Sequence, residues 1–172
     1  VTEIRMENGQ MQFATPVNIT SRVGYDNQPY FENSGTSLLY TSIQSNDQAD
    51  IYRYDCLSST TSQVTHTNTS EYSPMPTADG DGFTVVMVEP DTTQRLWQFT
   101  GDLNQPEMQP VLKRVDSIGY YCMANNKQIA FFKVTDPPTL VITDVKKQTE
   151  RTVDVQIGRC LKMIPGTANL SY

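Results

Sequence analysis

The chain contains a single histidine, His66, and this bounds its chemistry more tightly than any other residue. Acyl transfer by a Ser-His-Asp group needs an imidazole beside a serine held on a sharp strand-to-helix turn. No G-x-S-x-G sequence occurs. His66 stands among threonines where a strand is expected to end, so it reads as a polar strand-end residue. A histidine-based metal site fails for lack of partner ligands. Asp79-Gly80-Asp81-Gly82 has the composition of a calcium loop, but the further oxygen ligands and the closing Glu of an EF-hand are missing. It reads as a turn.

Carboxylates are the remaining candidates, since two facing acids can serve glycoside chemistry. Asp26 and Glu71 are 45 residues apart, and each is followed or preceded by tyrosine and other polar residues. The same offset leads on to Asp116 and Ser117, with Tyr120 just beyond. If 45 residues is a structural period, these positions are equivalent. They would gather Tyr25, Asp26, Asn27, Glu71, Tyr72, Asp116 and Tyr120 into one rim able to bind a polar or cationic ligand. The competing reading is that they cap strands and satisfy turn backbone.

The period is present. Gly35, Gly80, Asn126 and Gly166, each in a turn ahead of a strand, are separated by 45, 46 and 40 residues. Ile4, Ile51, Leu96 and Leu140, on expected third strands, are separated by 47, 45 and 44. The clearest unit is Glu71 to Leu112, with strands expected at Ser73–Thr77, Phe83–Glu89, Arg95–Thr100 and Glu107–Leu112. Four short strands repeated every 40–47 residues is the pattern of propeller blades. Pro29, Pro74, Pro76, Pro106, Pro110, Pro137 and Pro138 break any helical alternative, and no segment sustains a period of 3.6. The expected fold is all-β: a single β-propeller domain of four-stranded antiparallel blades, a partial propeller of about four. Its divisions are residues 1–22 (strands of a closing blade), 23–68, 69–113 and 114–157 (whole blades), and 158–172 (the start of another). A β-sandwich with fortuitous spacing is the rival.

Composition agrees. Apolar residues make up 37% of the 172, yet nine Tyr, six Phe and one Trp supply large burial units. Most of these aromatic residues are expected to pack blade against blade. The formal charge is −6, and the densest basic group, Lys146, Lys147 and Arg151, is interrupted by Gln148 and Glu150. Such a chain is not expected to bind nucleic acid or an anionic membrane surface. No apolar run approaches the length of a membrane span. Cys56, Cys122 and Cys160 are far apart with no C-x-x-C, so buried free thiols are expected and no cofactor is implied.

The motif Ser73-Pro74-Met75-Pro76-Thr77-Ala78-Asp79-Gly80 resembles the strand and "S-P-D-G" turn of TolB-like propellers, a WD-repeat-like bacterial family. Asp50–Asp55 resembles their third strand. The turns Asn33-Ser34-Gly35 and Asn125-Asn126-Lys127 depart from the motif. The resemblance implies a bacterial protein exported to the periplasm or beyond. It implies a non-enzymatic scaffold that recognises a protein or a small polar ligand at the channel rim or top loops. Family members usually carry six or more blades, which implies a longer parent; open blade edges would otherwise favour a homo-oligomer. An alternative is the propeller of a prolyl-oligopeptidase-like serine peptidase whose catalytic domain lies outside this chain. A weaker one is a lyase or glycosidase working from Asp26 and Glu71.

Overall fold

The computed structural model describes residues 1–172 except Asn46, Leu103, Asn104 and Asn126. The expected turn marker Asn126 therefore lies outside the described residues. Sixteen strands are present among the described residues, and no helix there is long and apolar enough to cross a membrane. A hairpin of β1 (Ile4–Glu7) and β2 (Gln10–Phe13) comes first. Three four-stranded antiparallel sheets follow. The first is β3 (Tyr25–Phe31), β4 (Ser37–Ile43), β5 (Ala49–Asp55) and β6 (Thr60–Gln63). The second is β7 (Ser70–Pro76), β8 (Gly82–Val88), β9 (Gln94–Thr100) and β10 (Glu107–Pro110). The third is β11 (Ile118–Asn125), β12 (Gln128–Lys133), β13 (Thr139–Asp144) and β14 (Glu150–Val155). A second hairpin, β15 (Lys162–Met163) and β16 (Leu170–Ser171), ends the chain.

Each sheet is a plain meander, with every strand paired to its sequence neighbour. The turns explain why. Gly35 and Gly80 have φ near +70° and +79°, a conformation that costs an L-residue about 1–2 kcal/mol. Thr77 N–H donates to the Gly82 carbonyl at 2.9 Å across the second turn, and Asp79 Oδ1 accepts from Asp81 N–H at 3.2 Å. The Asp79-Gly80 motif is thus architectural, as expected. At the far end of β5, Asp55 Oδ1 accepts from the backbone of Leu57 and Ser58 at 2.9 and 2.7 Å. That turn starts β6 at Thr60. The chain then bends inward, and Thr65 Oγ1 accepts from Ile51 N–H at 2.8 Å, with Val64 buried beside it.

The core is not in the sheets but between them. Leu39, Ile51, Val64, Phe83, Val85, Met87 and Phe99 fill the joint between the first two sheets, with Phe83 stacked on Phe99 at 5.1 Å. Val86, Leu96, Leu112, Ile118, Tyr121, Phe131 and Val141 fill the next joint. Cys122, Phe132, Leu140 and Leu161 close the third, against β15. Hence β8 reads as a nearly continuous apolar run: alternate residues face opposite neighbours, and both faces are buried. The two terminal hairpins form separate two-stranded sheets that are not hydrogen-bonded to one another. One face of the first carries Ile4, Met6, Met11 and Phe13, all exposed.

Candidate functional site

The innermost strands β3, β7 and β11 line an axis that the chain from Arg159 to Lys162 also borders. A cleft of about 470 Å³ opens there. Tyr25 from the first sheet, Tyr72 from the second and Tyr120 from the third all reach it, with Gln28, Gln94 and Arg159. Strand register accounts for the convergence. Tyr72 pairs with Val86 and Tyr120 with Phe132, equivalent positions on β8 and β12. Asn27, paired with Thr41, is their counterpart in the first sheet, and Tyr25 lies two residues earlier on the same side of the pleat. Burial pushes the Tyr25 phenol up; an Asn27 hydrogen bond opposes this, Tyr120 and Tyr72 reinforce it, and Arg159 opposes it.

The carboxylates do not join them. Neighbouring residues of a strand point to opposite faces, so Asp26 and Glu71 turn away when Tyr25 and Tyr72 turn in. Arg22 Nη2 donates to Asp26 Oδ1 at 2.5 Å, and Ser42 Oγ donates to the same oxygen at 2.6 Å. Burial alone would raise the Asp26 carboxyl, but the hydrogen bonds from Ser42, Arg22 and Thr20 outweigh it and hold it below the ordinary range. Arg22 can fold back because Gly24 has no side chain; a Cβ there would sit 2.2 Å from its guanidinium.

Glu71 is fully buried in the joint with the first sheet. Its Oε1 accepts from the hydroxyls of Thr67 and Thr69, the latter at 2.9 Å, while Oε2 has no hydrogen-bond partner among the described residues. Burial pushes its carboxyl up against those hydrogen bonds, and the nearby charge of Asp50 adds to the rise. Asp50 is itself buried and raised, and accepts from Gln48 and Gln63 at 2.7 and 3.2 Å. A fully buried acid and an ion-paired acid, each facing a different joint, do not frame a scissile bond.

The remaining rim candidates separate as well. Asp116 is exposed ahead of β11 and takes a hydrogen bond from Ser117 Oγ at 3.0 Å. By register, Gly119 on β11 holds the place equivalent to Asp26 and Glu71; the irregularities of β11 fall between Ile118 and Tyr120 and between Met123 and Asn125, whereas those of β3 and β7 follow Asn27 and Tyr72. Asn27 accepts from the Gln28 backbone at 2.7 Å and borders the N-terminal segment rather than the cleft. Three of the seven expected rim residues thus share one space: Tyr25, Tyr72 and Tyr120. Gln28, Gln94 and Arg159 were not among the expected site residues. Arg159 had a usable signal, since it opens the fourth unit and so falls on an innermost position.

His66 is exposed beyond β6, beside Asn68 and Met108. Among the described residues there is no group of three His, Cys, Asp or Glu side chains placed to hold a metal ion. The thiols differ from the expectation of buried cysteines. Cys122 is buried, Cys56 is half-buried and Cys160 is exposed, because only Cys122 lies on a strand face covered by a neighbouring unit.

No protein-family model and no curated protein matches the chain. Solved structures do. TolB from Acinetobacter baumannii matches 86% of the chain at 18% identity with a TM-score of 0.62. A protein assigned as TolB from Agrobacterium tumefaciens matches 90% at 14% identity and a TM-score of 0.64. A chain of the nidogen/laminin complex matches 88% at 11% identity and 0.61. Oligogalacturonate lyase from Vibrio parahaemolyticus matches 90% at 13% identity and 0.52. The chain spans 35% of the length of the Acinetobacter structure, 60% of the Agrobacterium one, 57% of the nidogen/laminin chain and 46% of the lyase. At these identities the likeness establishes the fold alone: a β-propeller, in part or whole, similar in structure to TolB.

Proposed function

We propose that this propeller is a non-enzymatic recognition scaffold, working outside the cytoplasm, that binds a partner protein or small polar ligand across the cleft on its axis. One observation carries the reading. Tyrosines from three separate sheets converge on a single space, while the acids that hydrolysis or elimination would need are turned into the joints. Tyrosine supplies broad contact area with few rotatable bonds and a hydroxyl for orientation, a composition suited to binding. The TolB structures and the nidogen/laminin complex are consistent with such a role. The lyase among the structural matches keeps an enzymatic role in view, but it shares the fold at low identity, and a fold does not carry its chemistry with it.

The test is a thermal-shift screen with small amines, carboxylates, sugars and nucleotides, run on the wild-type chain and on Tyr72→Ala and Tyr120→Ala. A ligand that stabilises the wild type should lose most of its shift in both variants. Hits that ignore both substitutions place binding elsewhere. Turnover of a polyuronate or peptide substrate by the purified chain would refute the non-enzymatic reading.

A further inference from the structure

We infer that the axis takes a small organic anion, whose carboxylate or phosphate lies against Arg159 and Lys162 while its body rests on the tyrosines. This builds on the cleft reading above and assigns the ligand class. A second cleft, of about 230 Å³, shares Gln28, Tyr120 and Arg159 with the first, so the two adjoin along the axis. Lys162 lines the narrower part, its Nζ 4.1 Å from the ring centroid of Tyr30. Together the two linings contain Arg159 and Lys162 and no acidic residue. The chain as a whole carries −6. The axis therefore has the opposite sign to the molecule around it. The acids that sequence spacing would have brought here are the ones the pleat turns away.

Two further features favour an oxyanion over a cation. Arg159 forms no ion pair among the described residues, so its planar fork of donors is available to a carboxylate or phosphate. Ser73 Oγ, buried in the lining of the narrower cleft, has no hydrogen-bond partner among the described residues. A buried hydroxyl without a partner is uncommon, and an anionic oxygen would supply its acceptor. The tyrosine faces suit a flat or apolar-faced body, such as an aromatic ring or a sugar. Of the polar or cationic ligand expected from the sequence, this inference takes the polar alternative and gives it a negative charge.

The test is an NMR titration of tyrosine ring signals in the 172-residue chain with four probes of similar size: benzoate, phenyl phosphate, neutral benzamide and benzylammonium. At least one anion should bind about 10-fold more tightly than benzamide, the range of a charge-assisted hydrogen bond. Arg159→Gln, at an exposed position compatible with folding, should abolish that preference. Failure of both anions to give saturable shifts overturns the inference, as does benzylammonium binding as tightly as they do. If anions and benzamide bind equally and Tyr72→Ala weakens all of them, the anion assignment fails and the cleft reading survives. If Tyr72→Ala weakens none, the cleft reading itself fails.

Discussion

At the scale of single residues, Glu71 is the most consequential side chain outside the cleft. Its folded-state carboxyl is raised by burial, so the folded chain holds this proton more tightly than the unfolded chain does. Its contribution to stability is fully present below the ordinary Glu range and is lost as pH rises through the raised value. Asp50 acts in the same sense, and Asp26 in the opposite one at more acidic pH. Glu71→Gln keeps an oxygen for Thr67 and Thr69 and replaces the unpartnered Oε2 with an amide nitrogen. Its melting temperature should exceed that of the wild type at pH 8, with the gap closing by pH 4–5; thermal unfolding across that range checks both the sign and the window. A variant that loses stability equally at both ends would show that the charge at Glu71 is compensated by a group not yet identified. None of this was legible from residue types, because a Glu 45 residues from an Asp looks like half of a catalytic pair until the pleat is assigned. Tyr25, Tyr72 and Tyr120 were legible through the repeat. Asp116 was misread because the inner strands of the second and third sheets are offset by 48 residues in register, Tyr72 to Tyr120, and not by 45.

At the scale of strands, most of the fold could be read from the chain. The strand expected at Arg95–Thr100 is observed at Gln94–Thr100, because it lies between the Asp91 turn and Gly101, whose φ is positive. The fourth strands were harder. β6 is exposed along most of its length and has no apolar pattern, so its place is set by the Asp55 turn instead. What no pattern could show is how one sheet recognises the next. At the second joint Thr84 Oγ1 and the Tyr121 hydroxyl lie 2.7 Å apart, both buried, and Thr84 also donates to the Met75 carbonyl at 3.2 Å. The two ends of this bond should respond unequally. Tyr121→Phe leaves Thr84 bonded to Met75 and should cost about 1 kcal/mol. Thr84→Val strands a buried phenol and should cost about 1–3 kcal/mol. Urea unfolding of both variants decides the order. Equal losses would mean that the phenol finds another acceptor.

At the scale of the whole molecule, three sheets and a terminal hairpin joined by three separate cores make a chain in which each unit is held by its neighbours. Amide exchange should follow that arrangement. Strands β4, β8 and β12, paired on both edges and covered on both faces, should exchange last, and the exposed hairpin β1–β2 should exchange first. Early loss of protection in β8 would mean that the joints open before the sheets do. The joints also differ from one another in kind. At the first, Gln28 Oε1 accepts from the Thr41 hydroxyl at 3.0 Å and from Ser73 N–H at 2.9 Å, fastening the positive-φ bulge of one sheet to that of the next. At the second joint the position of Thr41 is held by Val86, which packs in an apolar core with Ile118 and Tyr121. Gln28 thus makes the sheets non-interchangeable. A copy of the second unit inserted ahead of itself would present Ser73 where the glutamine amide is required and Val86 where the threonine is. The order of the units is therefore written into their seams. A lineage that lengthened this array by duplication would have to rewrite a seam for each unit it added.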